Sequence, residues 1–472
     1  MDMENENENK NDLSRRDFLK AAGAGAGTML AGSALAGCRL RGKNSPDGVS
    51  GAGPNKMTYR ANHNTGDMVS LLGYGCMRWP LRQRADGNGE EVDQEAVNRL
   101  VDHAIANGVN YFDTAPGYVR GLSEEATGKA LKRHPRDKFF VATKLSTQRD
   151  APGLRTFQGS KAMYEMSFSR LQVDYIDYYL LHFIGAGGVP TLKERFYDNG
   201  MLNFLLKERE AGRIRNLGWS FHGDVAAFDY LLAEQDKGNV RWDFAMIQLN
   251  YVDWMHATGF NTNAEYLMAE LAKRKIPPVV MEPLLGGRLA RVNAQALKLM
   301  KGIHPADTAA KWAFRYAGSF PEVLTVLSGM TFIEHLRENI RTYSPLEPLN
   351  KQEHELLEQV TEILLDSNYV QCTECQYCMP CPYGIDIPGI FGHYNRIVSA
   401  DKRLKSSKDE NYRQARREFL IGYDRAVPKA RQADQCNGCN KCGPKCPQKL
   451  DIPKEMQRIE TYAEQLKQNL DF

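Results

Sequence analysis

The sequence has almost no net charge, and its N-terminal apolar run is short. Its formal net charge is +3 over 472 residues, so no basic field indicates binding to nucleic acid. The weakly apolar run Ala21–Ala36 is shorter than the roughly 20 residues that a transmembrane helix needs. We therefore expect no nucleic-acid partner and no mature transmembrane helix.

Cysteine is scarce in most of the chain. Of the ten cysteines, only Cys38 and Cys76 lie outside the segment from Cys372 to Cys446. This clustering predicts a separate C-terminal module, and the chain is long enough for one large domain and a smaller one. Cys76 is expected to pack as a small buried hydrophobic residue.

The N-terminus carries an export signature. The stretch SRRDFLK places Arg15 and Arg16 directly before the apolar run. It resembles the twin-arginine export signal, and the run fits the apolar region of a signal peptide. The resemblance implies handling by the twin-arginine translocase and export of the protein. The alternative is a disordered basic N-terminus.

The end of this signal can be interpreted in two ways. Ala34-Leu35-Ala36 fits cleavage after Ala36, whereas Leu35-Ala36-Gly37-Cys38 resembles a lipoprotein box with a lipidated Cys38. We favour the second, because a lone cysteine there has no other evident use. The predicted organisation is a signal peptide over 1–37 and a flexible tether over 38–57. The protein is then periplasmic or anchored at the cell envelope, and a lipid on Cys38 is its only membrane contact.

From residue 70 to residue 345, short β-rich runs alternate with helical patterns. The predicted strands are Leu71–Gly75, Tyr111–Asp113, Phe139–Lys144, Ile176–His182, Ile214–Ser220, Phe244–Leu249, Pro278–Met281 and Val323–Leu327. Helices are predicted at Gln94–Asn107, Glu124–Arg133, Lys161–Leu171, Ala264–Arg274 and Ala306–Ala317. Eight strand–helix pairs predict an α/β fold, a (β/α)8 TIM barrel. An open doubly wound sheet is the alternative, but no Gly-rich dinucleotide fingerprint follows the first strand.

Polar side chains end five successive predicted strands. In a TIM barrel the chemistry lies at the C-terminal ends of the strands, so these residues are candidates for the active site. They are Asp113, Lys144, His182, Ser220 and Gln248, with Tyr118 in the loop after the second strand.

Three motifs in this region resemble the aldo-keto reductase family. They are GVNYFDTAPGY (108–118), VATK (141–144) and LLH (180–182), and the resemblance covers residues 58–345. It implies a catalytic tetrad of Asp113, Tyr118, Lys144 and His182, and the interconversion of a small carbonyl compound and an alcohol. Each of the four could instead have a purely structural role.

The chemistry accounts for these residue types. Tyr118 would donate the proton to the carbonyl oxygen, although a free phenol has a pKa of about 10. The cation of Lys144 would lower that pKa, and Asp113 would hold Lys144 by an ion pair. His182 would hydrogen-bond the substrate oxygen and orient it.

The same resemblance implies a bound NAD(H) or NADP(H). Its expected contacts are Ser220, Gln248, Pro283, Leu284, Gly329, Glu338 and Asn339. Phe221, Met281 and Glu282 depart from the family pattern around the nicotinamide. Gly329 and His335 stand at the two positions where the family commonly has basic residues for the 2′-phosphate of NADPH. We therefore expect NADH to bind at least as tightly as NADPH.

The C-terminal cysteines form two runs, and Pro345 and Pro348 mark the predicted start of their module, 346–472. The second run, Cys436, Cys439, Cys442 and Cys446 followed by proline, has the spacing of bacterial ferredoxins. The first run is one residue shorter in its last gap and consists of Cys372, Cys375, Cys378 and Cys381.

This repeat predicts two [4Fe–4S] clusters, with the fourth cysteine of each run serving the other cluster. Zinc and disulfides are the alternatives. Zinc sites usually have two separated cysteine pairs, and disulfides between cysteines three residues apart close small strained loops. A helical stripe at residues 412–423 indicates a mainly α-helical, ferredoxin-like domain.

Export and clusters fit together, because the twin-arginine route is associated with proteins that fold and receive cofactors before export. The leading hypothesis is an exported oxidoreductase with an aldo-keto reductase barrel, a two-cluster electron-transfer module and a redox partner protein. The alternative is an electron-transfer or binding protein whose barrel no longer turns over nicotinamide. No flavin motif is present to link hydride chemistry to one-electron transfer.

Overall fold

The computed structural model describes residues 56–87, 89–147, 153–259 and 261–469. The twin-arginine segment, Cys38 and nearly all of the tether lie outside the described residues, and so do the predictions made for them. Within the part of the chain that is described, no helix is both long and apolar enough to span a bilayer.

The eight barrel strands agree closely with those predicted, and four short strands outside the barrel were not predicted. In chain order they are β1 Tyr59–Ala61, β2 Met68–Ser70, β3 Leu72–Gly75, β4 Leu81–Gln83, β5 Glu90–Val92, β6 Tyr111–Asp113, β7 Phe140–Leu145, β8 Ile176–Ile184, β9 Ile214–Phe221, β10 Phe244–Gln248, β11 Pro278–Met281 and β12 Thr325–Ser328. Eight of them, β3 and β6 to β12, form a closed parallel barrel in which β12 pairs with β3. The predicted TIM barrel is confirmed.

The helices follow the strands as the periodicity predicts. They are α1 Gln94–Ala106, α2 Ser123–Leu131, α3 Phe157–Leu171, α4 Gly188–Leu192, α5 Met201–Glu210, α6 Val225–Asp236, α7 Asp253–His256, α8 Ala264–Lys273, α9 Ala294–Ile303, α10 Ala309–Gly318, α11 Ile333–Thr342, α12 Lys351–Leu365, α13 Ile387–Ser399, α14 Tyr412–Ala426 and α15 Ile452–Gln468. Several begin at a polar residue whose side chain accepts a hydrogen bond from a backbone N–H in the first turn, as N-caps do. These caps include Asp93, Thr156, Asp224, Asn293, Thr308 and Asn350.

The barrel interior is filled by side chains, so it is a core and not a pore. Tyr111, Tyr178 and Phe244 are fully buried there and pack edge to face. At one end, Asn62 donates hydrogen bonds to Tyr178 and Asn216, near the starts of β8 and β9. The opposite end, where the strands finish, is the one that the C-terminal module contacts.

The boundary between the two modules lies later than residue 345. Helix α12 packs on the barrel: Leu357 and Val360 belong to the barrel core, and Glu353 pairs with Arg315 at 2.6 Å. The second core begins at Val370. We therefore infer that the ferredoxin-like module starts between Asp366 and Val370.

The C-terminal module lies directly against the strand ends. Gly286, in the loop after β11, has φ +70, and a Cβ there would lie 2.3 Å from the Cα of Thr373. Gly259 has φ +72, and a Cβ there would lie 2.0 Å from the carbonyl oxygen of Gln448. Only glycine permits such contact at a positive φ, so both sites fix the barrel against the module.

Candidate active site and cluster sites

An ion pair forms the base of the site. The Lys144 ammonium donates to Asp113 Oδ1 at 2.6 Å and to the carbonyl oxygen of Thr114 at 2.8 Å. Both charged side chains are almost fully buried. They lie close together because β6 and β7 are parallel neighbours whose ends meet at one rim of the barrel.

Tyr118 lies directly above this pair. The Lys144 ammonium is 5.0 Å from the centre of the Tyr118 ring, and the imidazole of His182 is 6.1 Å from it. A tight turn at Tyr118–Gly121, with Val119 and Arg120 at positive φ, positions the phenol. The structure therefore brings the four residues of the predicted tetrad together.

His182 is held by residues that the sequence did not reveal. Its Nδ1 shares a hydrogen bond of 2.6 Å with Ser146 Oγ. The buried Arg195 guanidinium donates to the carbonyl oxygens of His182 and Phe183. A hydrogen bond from Ser146 to Nδ1 would leave the proton of the neutral ring on Nε2, which could then donate a hydrogen bond to a substrate oxygen.

The pKa of Tyr118 differs from expectation. Burial, followed by the Asp113 carboxylate, Tyr377 and Glu282, raises the Tyr118 pKa well above 10, so the expected lowering by Lys144 is wrong. The reason is that Asp113 neutralises the ammonium at 2.6 Å while burial penalises the phenolate. Burial also raises the pKa of Asp113 and lowers that of Lys144, and the ion pair opposes both shifts.

A cavity of about 590 Å³ opens from Tyr118 and Asp113 along the strand ends. Six of the seven predicted cofactor contacts line it: Gln248, Pro283, Leu284, Gly329, Glu338 and Asn339. Ser220 is fully buried and accepts the backbone N–H of Phe183 at 3.0 Å. It therefore supports the backbone beside His182 and is not among the residues that line the cavity.

The departures from the family pattern also lie in this cavity. Met281 and Glu282 line it, and the Glu282 carboxylate accepts the backbone N–H of Gly286. Burial raises the pKa of Glu282, and the cation of Arg78 opposes that shift. The Arg78 side chain lies against Gly329: a Cβ added to Gly329 would be 3.1 Å from Arg78 Cδ.

The C-terminal module forms one wall of the cavity. Thr373, Cys375 and Tyr377 reach it from the first cysteine run, and Arg396 reaches it from α13. The Tyr377 ring packs edge to face on Phe183 at 5.6 Å. These residues were not found from sequence, because nothing in the pattern shows how the two modules meet.

The cysteines fall into two groups that exchange their fourth members. Burial raises the pKa of the Cys378 thiol, and the thiols of Cys375, Cys372 and Cys446 raise it further, followed by that of Cys442. In the other group, the pKa of Cys442 is raised by burial and then by Cys436, Cys381 and Cys439. These contributions require proximity, so Cys446 lies near the first run and Cys381 near the second.

Each group supplies the four thiols that a [4Fe–4S] cluster needs. Across the described ranges, no three His, Cys, Asp or Glu side chains converge tightly enough to bind one metal ion. In a [4Fe–4S] cube each thiolate binds a different iron, so the four sulfurs stand further apart than around one zinc ion. None of the cysteines in the described ranges forms a disulfide.

Comparison with known families assigns both modules. The profile of the aldo/keto reductase family matches residues 71–362. The profile of a 4Fe-4S dicluster domain matches residues 371–450. The profile of a TAT (twin-arginine translocation) pathway signal sequence matches residues 12–32.

Two curated relatives match about two thirds or less of this chain. L-galactose dehydrogenase of Arabidopsis thaliana is 28% identical over 325 residues, which is 66% of this chain and 95% of the relative. NADH-specific methylglyoxal reductase of Escherichia coli is 25% identical over 312 residues, 58% of this chain and 90% of the relative.

Solved structures show the same fold. An aldo-keto reductase of Bacillus halodurans in its holo form is 24% identical, with a TM-score of 0.51, over 64% of this chain and 96% of that one. An aldo-keto reductase of Klebsiella pneumoniae in complex with NADPH is 21% identical, with a TM-score of 0.50, over 64% and 94%.

Proposed function

Because the chain belongs to the aldo/keto reductase family, we propose that this oxidoreductase interconverts a small carbonyl compound and its alcohol with a nicotinamide dinucleotide. We further propose that two [4Fe–4S] clusters exchange electrons with the same cavity. The observation that carries the proposal is that one cavity is lined both by Tyr118 of the barrel and by Cys375 of the cluster module.

The residues of the tetrad divide the proton chemistry between them. Tyr118 keeps its proton at neutral pH because its pKa is raised, so it can protonate the oxygen as a carbonyl is reduced. His182 hydrogen-bonds that oxygen and orients the carbonyl. Asp113 holds the Lys144 ammonium beside the phenol, where the cation stabilises negative charge as the proton leaves.

Part of the cavity lining consists of the residues that are expected to hold a dinucleotide. Gln248 at one end and Asn339 at the other line the same space, and Asn339 is fixed by its hydrogen bond to Ser328 Oγ. A dinucleotide bound there would supply or accept the hydride. Arg337 is not among the residues lining the cavity; it lies near α1, where burial of His103, followed by the Arg337 charge, lowers the pKa of His103. Four other guanidinium groups, those of Arg78, Arg288, Arg291 and Arg396, do line the cavity, so the expectation that NADH binds at least as tightly as NADPH rests on Gly329 and His335 alone.

The cluster sites supply one-electron storage. Cys372, Cys375, Cys378 and Cys446 would hold one cluster, and Cys381, Cys436, Cys439 and Cys442 the other. Oxidation of one reduced dinucleotide releases two electrons and one proton. Two clusters that each accepted one electron would take up that pair, with the proton released to solvent.

A second function is favoured by the unusual residues around Tyr118. Met281 offers no aromatic face, Glu282 adds a carboxyl group, and Ser220 is occupied by the backbone of Phe183. In this alternative, the exported protein binds a ligand or transfers electrons without nicotinamide turnover.

One titration separates the two functions. Protein purified anaerobically would be titrated with NADH and with NADPH while its visible and EPR spectra are followed. Reduction of the clusters in the wild type and its loss in Cys375→Ser would support the coupled enzyme. Dinucleotide oxidation by added carbonyls with unchanged cluster spectra would support the reductase without coupling. If NADH and NADPH produce neither cluster reduction nor carbonyl-dependent oxidation, the alternative function is favoured.

The TAT signal sequence assigns the protein to export across the membrane. We propose that the mature protein is periplasmic or held at the cell envelope by a lipid on Cys38. Mass spectrometry of the mature N-terminus distinguishes a lipidated Cys38 from cleavage after Ala36.

A further inference from the structure

The two cysteine groups differ in their exposure to solvent. In the inner group, Cys378 and Cys446 are buried and Cys375 lines the active-site cavity. In the outer group, Cys439 is exposed and Cys436 is half-buried. A cluster held by the outer group is therefore the one that a second protein can approach.

Cations surround the outer group. The segment 429–454 contains six of them and only two carboxylates. All six are exposed: Lys429, Arg431, Lys441, Lys445, Lys449 and Lys454. This excess stands out because the whole chain has a formal net charge of only +3.

Three of these cations lie within or beside the segments that carry the outer cysteines. Lys441 and Lys445 lie within the cysteine run itself, and among the described residues neither forms an ion pair. Arg431 donates to the carbonyl oxygen of Gly384 at 3.1 Å, next to the loop that carries Cys381. There Tyr383 is 49% exposed and adds an aromatic surface to the rim.

The two carboxylates do not balance the charge. The Asp451 side chain caps α15 by accepting the backbone N–H of Lys454 at 3.2 Å. The Asp434 side chain accepts from the amide of Gln435 at 2.9 Å. Both keep their negative charge, and the segment still carries four more cations than carboxylates, so its net charge around the outer cysteines is positive.

We propose that this surface, formed by Arg431, Lys441, Lys445, Tyr383 and the exposed Cys439, is the docking site for an acidic electron-carrier protein. The cations steer a partner whose own redox group is ringed by carboxylates. One electron then passes between the outer cluster and the carrier, one centre being oxidised and the other reduced, with no bond formed or broken. The inner group faces the cavity, so the two clusters would connect the barrel to the surface.

Electron transfer to carriers of opposite charge tests this docking site. The protein would be reduced anaerobically with dithionite, freed of excess reductant and mixed in a stopped-flow instrument with an oxidised flavodoxin, which is acidic. The rate constant should fall steeply between about 20 mM and about 500 mM salt, because screening weakens steering. With basic cytochrome c as acceptor, the rate constant should rise with salt.

The double variant Lys441→Glu/Lys445→Glu should lower the flavodoxin rate constant at low salt by about tenfold or more. The matched control, Lys298→Glu/Lys301→Glu, makes the same charge change at exposed positions on α9 and should leave the rate within about twofold. Iron content and EPR spectra must be unchanged in both. The proposal would be overturned if the flavodoxin rate constant changed neither with salt nor in the Lys441→Glu/Lys445→Glu variant. A fall of equal size in the control variant would overturn it as well. No step of this assay uses nicotinamide, so the docking proposal can fail while the proposed catalysis holds, and the reverse.

Discussion

Replacing Lys144 by Met should destabilise the barrel far more than the loss of an ordinary ion pair. Lys144 is fully buried and donates to Asp113 Oδ1 at 2.6 Å, while Asp113 Oδ2 has no hydrogen-bond partner in the structure. Without the ammonium, a carboxylate would remain buried and unpaired. Such a loss costs about 3–5 kcal/mol, a large part of the roughly 5–15 kcal/mol that stabilises a domain.

The deficit should depend on pH in a defined direction. In the variant, burial raises the pKa of Asp113 and Lys144 no longer opposes that shift. A carboxyl group with a raised pKa in the folded state is favoured in its protonated form, so stability is lost as pH rises from the unfolded value of about 3.9 through the folded value. The loss should be smaller at pH 5 than at pH 8. Asp113→Asn/Lys144→Met should recover most of it, because no charge is then buried.

The chain provides its own probes for this assay. All five tryptophans lie in the barrel, at Trp79, Trp219, Trp242, Trp254 and Trp312. Urea unfolding followed by their fluorescence therefore reports on the barrel, and the visible absorbance of the clusters reports on the other module. Lys129→Met is the matched control, because its pair with Glu125 is also 2.6 Å long but half exposed, and it should cost at most about 1 kcal/mol. A Lys144→Met deficit as small as the control's, or one independent of pH, would refute the reasoning.

Four further predictions concern activity, clusters, cofactor and export. Tyr118→Phe should lower carbonyl reduction by about 10²–10⁴-fold with the clusters intact; because the raised pKa keeps the phenol protonated, wild-type kcat for reduction should be flat from pH 7 to about pH 9, and a fall across that range would contradict the assignment. Cys442→Ser should lose one of two clusters, giving about four irons per chain where the wild type has about eight; stoichiometric zinc in the wild type would contradict this. NADH should bind at least as tightly as NADPH in isothermal titration, since Gly329 and His335 provide no guanidinium for the phosphate; tenfold tighter binding of NADPH is the opposing result. Replacing Arg15 and Arg16 by Lys should trap the protein in the cytoplasm, as cell fractionation would show, whereas unchanged export would count against the signal.

The barrel could be predicted because its pattern is local. Buried parallel strands are continuous apolar runs, and their polar ends are visible in the sequence at Asp113, Lys144 and His182. The observed strands begin and end within about two residues of the prediction. The structure also brings these residues and Tyr118 together, because parallel strands end at one rim.

What could not be predicted depends on contacts between distant parts of the chain. Arg195 holds the backbone at His182, and Tyr377 reaches the cavity from the other module; neither position has a periodic or motif signal. The raised pKa of Tyr118 follows from burial, which a spacing argument does not measure. Helix α12 packs on the barrel, where Arg315 holds Glu353, whereas the prolines before it indicate a break in the sequence.

The two glycine contacts imply an order of assembly. Thr373, which Gly286 meets, is the neighbour of Cys372, and Gln448, which Gly259 meets, lies two residues after Cys446. Cys372 and Cys446 come from different runs but belong to the same inner group. A cluster inserted there would tie together the two points on which the barrel rests. We therefore expect the wall of the cavity to form only after the inner cluster is in place, so that a chain lacking iron would be immature in its barrel as well as in its ferredoxin-like module.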